Sequence, residues 1–341
     1  MILVTGASGF LGMRLVRALA QRGATTIRCL VRPGTTADIA RSVVLDFPQT
    51  RIDVLGVSFN DEDGIKKAFE GVDIVYHAAA AKRGSAPAMI ANTVVSSENL
   101  YKAALNARVS RFVLVSSFGV MGVATLRRGS VVDESVPMEE HPEWRDAYSF
   151  SKHRQECLAW KYATASGLPL VVVRPGVIFG PGANILTTRI GMQLPGFYLH
   201  LGGSNQVPLT YVDNCADAVA LAGLAHGIDG EVFCIVDDDL PTSRSLLHRY
   251  RREMERIRVL SIPYPLLQLL SRWNVWYSTR TMGHFPTLFT PYEVASIWKL
   301  HRFTNRKAMA RLAWTPRVGM REALNATYAS LTAGRLLRVH A

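Results

Sequence analysis

The 341-residue sequence is poor in cysteine. Its four, Cys29, Cys157, Cys215 and Cys234, form no CxxC pair and keep no metal-ligand spacing from histidine. No disulfide frame and no metal site are expected; the pattern predicts buried thiols in a reducing, cytoplasmic setting. Long apolar runs are missing as well. The longest candidate, 259–270, contains Pro263 and Pro265 and is followed by Arg272, well short of the roughly 18–20 residues that a membrane span needs. The apolar start Met-Ile-Leu-Val lacks a basic n-region, and Gly6, Gly9 and Gly12 interrupt it. It reads as a first strand and turn, not as a leader. Acidic residues are few, 27 against 39 Lys and Arg, for a net charge of +12. That deficit is local. From Arg244 onward there are 17 basic and 4 acidic residues, a balance of +13, which leaves −1 for residues 1–243. Such asymmetry suits an anionic membrane surface, an anionic substrate or a solvated basic face. Nucleic acid is not expected, because no recognition module appears and the basic residues are not interleaved with stacking aromatics.

With 48% hydrophobic and 19% charged residues, the chain can build a sizeable core. Its first half alternates strand and helix signals. Apolar strands are predicted at 2–4, 27–31, 52–57, 73–76, 112–115 and 170–173. Helices are predicted at 10–21, through Phe69, around 87–105 and at 147–165. Repeated β-α units with near-continuous apolar strands argue for an α/β, doubly wound parallel sheet covered on both faces. Past Pro175 the pattern loosens, with turns at Gly180-Pro-Gly182 and Gly202-Gly-Ser204. The division expected is a dinucleotide-binding domain over 1–175, with strands returning from later segments, and a smaller, mainly substrate-binding lobe over 176–341.

Two motifs carry chemistry. Thr5-Gly-Ala-Ser-Gly-Phe-Leu-Gly12 follows a strand and opens a helix. In that context Gly6 permits a tight turn, Gly9 lets a pyrophosphate approach the backbone, and Gly12 allows close helix–strand packing. The spacing is GxxGxxG. Downstream, Tyr148-Ser-Phe-Ser-Lys152 places a phenol and an ammonium on one helical face. The nearby positive charge is expected to lower the Tyr148 pKa and suit it to proton exchange.

With these motifs in order, the chain resembles the extended short-chain dehydrogenase/reductase superfamily, of the NAD-dependent epimerase/dehydratase type. The resemblance extends over His77-Ala-Ala-Ala80, Asn92, Ser116-Ser117, Arg174-Pro-Gly176, Gly180-Pro-Gly182 and Tyr211-Val-Asp213. Lys307-Ala308 and Leu312-Ala-Trp-Thr-Pro316 are most similar to the closing segment of the 3β-hydroxysteroid dehydrogenase-like branch. The resemblance implies a Rossmann fold, with Tyr148 as acid/base and Lys152 as its partner and nicotinamide-ribose ligand. Counting back from Gly122 makes Ser117, not Ser116, the hydroxyl on the substrate oxygen, and Asn92 is implied as support through backbone and water contacts. The cofactor groove implied is lined by Gly6, Ser8, Gly9, Phe10, Leu11, Gly12, Arg32, His77, Ala78, Ala79, Tyr148, Lys152, Pro175 and Val177. A lone His at a strand end is also a common structural residue, and both readings of His77 stay open.

Departures from the family pattern sharpen the expectation. Relatives that prefer NAD usually carry an acidic residue where this chain reads Leu30-Val31-Arg32, so NADP is favoured and NAD is the alternative. Gly56-Val57 lacks the Asp that relatives commonly place near adenine. Phe118-Gly119 offers no acidic pair of the dehydratase kind, and Met121 replaces the usual epimerase Tyr. The leading reading is an NAD(P)-dependent oxidoreductase interconverting a secondary alcohol and a ketone on a largely apolar, sterol- or acyl-like substrate. The alternatives are a nucleotide-sugar 4-epimerase or reductase and a non-catalytic NAD(P)-sensing regulator. The expected partner is a small-molecule substrate; a peripheral contact with anionic membrane and a homodimer stay open. The stretch 259–270 with Trp273, Trp276 and Tyr277 is read three ways: as core, as an apolar lid, or as an interfacial segment on lipid.

Overall fold

The computed structural model describes residues 1–35, 43, 45–81, 84–282, 284 and 287–339, with side chains through 333. Seven strands form one parallel sheet: β1 (Ile2–Thr5), β2 (Thr26–Val31), β3 (Arg51–Gly56), β4 (Ile74–His77), β5 (Arg111–Val115), β7 (Leu170–Pro175) and β12 (Val232–Ile235). Their order across the sheet is β12-β7-β5-β4-β1-β2-β3. β2 and β3 lie to one side of β1, while β4, β5 and β7 lie to the other. The winding therefore reverses between β1 and β4, and a crevice opens there at the carboxyl ends of the strands.

Every residue of β5 and β7 is buried, which is why these segments read as continuous apolar runs. Successive side chains still alternate between faces. Leu3, Phe112, Leu114 and Val172 pack on one side, whereas Val4, Val113, Val115, Val171 and Val173 pack on the other. The first side is covered by α2 (Glu62–Ala68), α4 (Ser96–Asn106) and α5 (Ala147–Ser166). The second is covered by α1 (Phe10–Gln21) and α6 (Val212–Leu224). Each fully buried Val, Leu or Phe contributes about 1.5–3 kcal/mol, so these two layers dominate the stability. A short helix, α3 (Ala86–Ile90), runs through a π-helical turn at Ala91–Val95 into α4.

β12 shows that chain beyond residue 175 returns to the sheet, pairing Val232 with Val172. The closing segment also packs there: Trp314 is buried and its indole nitrogen donates to the Asn214 carbonyl at 3.0 Å. The remaining strands make small sheets of their own. β6 (Val131–Val132) pairs with β14 (Arg302–Phe303), β8 (Val177–Phe179) with β11 (Leu209–Tyr211), and β10 (Phe197–His200) lies between β9 (Gly191–Leu194) and β13 (Val259–Ser261). A separate apolar core fills this lobe, built on Phe179, Tyr198, Leu246, Leu324 and Tyr328. It draws on α7 (Ser243–Glu253) and α11 (Met320–Val339). Next to it lie α8 (Tyr264–Arg280), α9 (Pro291–Trp298) and, against β12, α10 (Arg306–Leu312).

Two expectations need correction here. Cys29, Cys215 and Cys234 are buried, but Cys157 is exposed, because it falls on the outer face of α5. The run 259–270 is a short strand followed by most of a helix. Among its apolar residues only Leu267 is fully buried, while Leu269 is 63% and Trp273 beyond it 58% exposed. The core reading therefore fails for most of the stripe.

Candidate active site

The glycine loop fills the crevice beside β1. Gly6 has φ +69°, a left-handed conformation that favours glycine. A Cβ there would come within 2.8 Å of the Ala79 amide nitrogen, so Ala78 and Ala79, leaving β4, lie against the loop. The Gly9 amide donates to the Gly6 carbonyl at 2.9 Å and closes the turn. A Cβ on Gly12 would overlap the Gly6 carbonyl oxygen, so the close packing expected of Gly12 is made with the loop itself. Gly9 caps α1 without any side-chain bond, and the first turn holds no acidic residue. Those free N–H groups and the positive helix end suit a pyrophosphate. Ser8 and Gly9 are exposed, Phe10 is half-buried, and the Leu11 side chain is buried behind them. Arg32 is exposed just past β2, Pro175 is buried at the end of β7, and Val177 is half-buried at the start of β8. This cradle fits a dinucleotide.

Beyond β5, Ser116 and Ser117 diverge. Ser116 is buried and donates to Glu156, whose carboxylate also accepts two bonds from Arg174 at 3.1 and 2.6 Å. Ser117 is half-buried and caps a 3₁₀ turn at Phe118–Val120, accepting the Gly119 amide at 3.1 Å. Its hydroxyl lies near the phenol of Tyr148 and lowers the phenol's pKa. The approach is close because residue 119 is glycine. A Cβ there would meet the Ser149 hydroxyl at 2.7 Å. The amino end of α5 is fixed by Asp146, which accepts the Ser149 amide at 3.0 Å and its hydroxyl at 2.6 Å.

Tyr148 departs from expectation in its acidity. Burial pushes the phenol above its ordinary pKa, and the Ser117 hydroxyl offsets only part of that. Lys152 lies one turn on, but it is buried and its ammonium donates to the Val115 carbonyl at 2.6 Å and the Gln155 side-chain oxygen at 2.5 Å. Desolvation, with the Asp146 carboxylate adding to it, therefore sets the phenol.

His77, expected to line the groove, has its ring buried and bonded on both nitrogens. The Thr5 hydroxyl lies 2.7 Å from Nδ1 and the Ser97 hydroxyl 2.8 Å from Nε2. Burial, reinforced by the charge of Lys152, lowers its pKa to about 3, so the ring is neutral. The neutral ring carries one proton, and its two nitrogens donate or accept according to which holds it; the Gln155 amide nitrogen also lies 3.0 Å from Nε2. Gln155 completes the network, donating to Ser97 at 2.7 Å and to the Thr93 carbonyl at 3.3 Å. The side chain of Asn92 is not part of it. Asn92 is exposed and its amide donates to the Ala88 carbonyl at 2.8 Å. The π-helical turn turns Thr93 inward instead. Thr5, Thr93, Ser97 and Gln155 were not singled out from the sequence. The one available signal was the position of Gln155, three residues after Lys152 on a helix.

The model of the NAD dependent epimerase/dehydratase family matches residues 2–235. The chain belongs to this family, within the extended short-chain dehydrogenases/reductases, and is an NAD(P)-dependent oxidoreductase acting on CH–OH and C=O groups. It is 27% identical to a 2-alkyl-3-oxoalkanoate reductase of Stenotrophomonas maltophilia (strain K279a), over 97% of this chain and 99% of that one. It is 26% identical to 3beta-hydroxysteroid-dehydrogenase/decarboxylase isoform 2 of Arabidopsis thaliana, over 97% of this chain and 62% of that protein. The likeness to that branch, first seen in the late motifs, therefore runs through the chain. The crystal structure of gox2253 superposes with a TM-score of 0.79 at 24% identity, covering 98% of both chains, and so shares the fold.

Proposed function

We propose that the chain reduces a ketone to a secondary alcohol on a largely apolar substrate, with NADP preferred, through Ser117, Tyr148 and Lys152. The observation that carries this is the proximity of the Ser117 hydroxyl at the carboxyl end of β5 to the Tyr148 phenol, close enough to act on its acidity. A substrate carbonyl oxygen seated beside both hydroxyls would accept a hydrogen bond from each. A bound nicotinamide supplies the hydride. Ser117 polarises the substrate oxygen, and Tyr148 gives its phenolic proton to the alkoxide as charge develops. A phenol held above its ordinary pKa is protonated at neutral pH, which suits a proton donor in the reducing direction. Lys152, held through Gln155, orients the nicotinamide ribose in this reading. Support for an apolar substrate comes from the names of the two relatives, an alkyl oxoalkanoate reductase and a steroid dehydrogenase.

NADP is favoured by Arg32, an exposed guanidinium at the end of β2 with no carboxylate among its neighbouring residues 30–35. A 2′-phosphate there would accept a charge-assisted bond. Residues 1–175 with β12 would hold the cofactor, and most of 176–341 the substrate. The test is the loss of reduced-nicotinamide absorbance on adding medium-chain 3-oxo compounds to the purified protein with NADPH or NADH. No turnover with any ketone, beside epimerisation of a nucleotide sugar, would replace this reading.

A second reading concerns where the protein works. Leu266, Leu269, Leu270, Trp273 and Trp276 are all exposed on one face of α8, at helical spacing. Arg280 lies over the Trp276 ring at 5.6 Å, and Arg272 belongs to the same helix. An apolar stripe flanked by arginines suits the surface of an anionic bilayer. No helix among the described residues is long and apolar enough to cross a membrane.

A further inference from the structure

Arg189 sits in a turn whose backbone is held from several sides. The Ile190 amide donates to the Thr187 carbonyl at 2.9 Å, and the Leu201 and Gly202 amides donate to the Ile190 carbonyl at 3.0 and 3.1 Å. The Trp298 indole nitrogen donates to the Thr188 carbonyl at 3.0 Å. Gly202 is required at its position, since a Cβ would run into the Arg189 carbonyl and the Ser243 hydroxyl. The side chain is thus projected from a fixed base.

Its guanidinium lies over the Phe303 ring at 6.0 Å. Phe303 in turn stacks on Phe118, ring centroids 5.8 Å apart, and Phe118 directly follows Ser117. On another side the charges facing Arg189 are Arg145 and Asp146, the residues three and two before Tyr148. Arg145 is already neutralised by the buried Glu139 at 2.9 Å. Asp146 accepts two hydrogen bonds from Ser149, and its carboxylate offsets part of the Arg189 charge from a distance. His301 is nearby and buried, and burial and the adjoining cations lower its pKa, which keeps it uncharged. Among the described residues Arg189 has neither an ion pair nor a side-chain hydrogen bond. Arg189 is half-buried, and the one opposite charge acting on it is the Asp146 carboxylate, which makes no ion pair with it. Burial depresses its own pKa to about 10, which still leaves it charged at neutral pH.

The geometry points to Arg189 as the binding residue for a single carboxylate carried by the same substrate whose carbonyl meets Ser117 and Tyr148. One guanidinium without an ion pair of its own matches one negative charge. A diphosphate would need further free cations here, and Arg145 is already neutralised. The substrate class is then an apolar oxo acid, with the carboxylate placed a short distance from the reacting carbonyl. This assignment rests on the ketone-reducing reading of the site, and the experiment separates the two.

The probes are a medium-chain 2-alkyl-3-oxoalkanoate, its methyl ester, and the matching 2-alkylalkanoate, which lacks the reducible carbonyl. Wild-type enzyme is expected to favour the acid over the ester in kcat/KM. In Arg189→Gln that preference should fall by about ten- to a hundred-fold, as for loss of a charge-assisted bond, mainly through KM. Calorimetric titration of the non-reducible acid should show binding to wild type and its loss in Arg189→Gln. Inorganic phosphate should compete weakly. If the acid binds and the variant loses it but no ketone turns over, the carboxylate site stands and the ketone reading fails. Equal use of acid and ester by wild type, or no binding of the non-reducible acid, overturns the Arg189 assignment. Tight phosphate competition would do so as well, by pointing to a phosphate ligand. The wild-type comparison needs no folded variant.

Discussion

The ammonium of Lys152 donates to the side-chain oxygen of Gln155 at 2.5 Å, which ties the base of the active site to a buried polar network. The other end of that amide reaches Ser97, Ser97 contacts His77, and His77 contacts Thr5 immediately before the glycine loop. Cofactor cradle and lysine are therefore joined through side chains from β1, β4, α4 and α5. Replacing Gln155 by Leu leaves a buried ammonium short of one acceptor. A stability loss of about 1.5–3 kcal/mol is expected, together with weaker cofactor binding. Urea unfolding and cofactor titration of the variant check both.

His77 gives the network a pH dependence. An unfolded His takes up a proton near pH 6.5, whereas the buried ring holds out to about pH 3. Between those values the unfolded chain binds more protons, so stability falls as pH is lowered through the window. The loss is expected to be on the order of a few kcal/mol. His77→Gln, which removes the titrating ring, should flatten this part of the stability–pH curve even if it lowers the plateau. An unchanged slope between pH 6.5 and 4 would show that other groups drive acid unfolding.

The sequence made the sheet legible because its strands are buried on both faces and its helices keep a clear apolar period. The predicted helix at 10–21 matches α1 (Phe10–Gln21), and the predicted 147–165 lies within one residue of α5. Ser117 was separable from Ser116 by motif counting, and the folded chain does bring it to Tyr148. Side-chain direction was harder to read. The π-helical turn that swings Asn92 outward leaves no simple periodic mark. Burial raises the Tyr148 pKa through surroundings assembled from distant segments. Arg189 and Phe303 meet across more than a hundred residues, which no local pattern reports.

Cofactor choice is the next test. NADPH should bind more tightly than NADH, and Arg32→Ala should cost on the order of 1.5–3 kcal/mol for NADPH and little for NADH. Fluorescence titration of both cofactors against wild type and variant decides it. Equal wild-type affinities would remove the case for NADP.

The apolar face of α8 predicts binding to vesicles containing anionic lipid, weakening as salt screens the arginines over about 8–10 Å at physiological strength. Replacing Leu269 and Trp273 by Gln removes two side chains, each worth up to about 1.5–3 kcal/mol when buried. Co-sedimentation should then fall at least ten-fold without loss of folding. Vesicle binding indifferent to both salt and the double substitution would assign that face another role.

The most direct test of the proposed chemistry is a single-turnover measurement on Tyr148→Phe with bound reduced cofactor and a saturating ketone. Phenylalanine keeps the ring and removes only the hydroxyl that faces Ser117. The reduction rate is expected to fall by roughly 10²–10⁴-fold, with cofactor affinity nearly intact. A variant that binds cofactor normally and keeps more than about a tenth of the wild-type rate would contradict the assignment of Tyr148 as the proton donor.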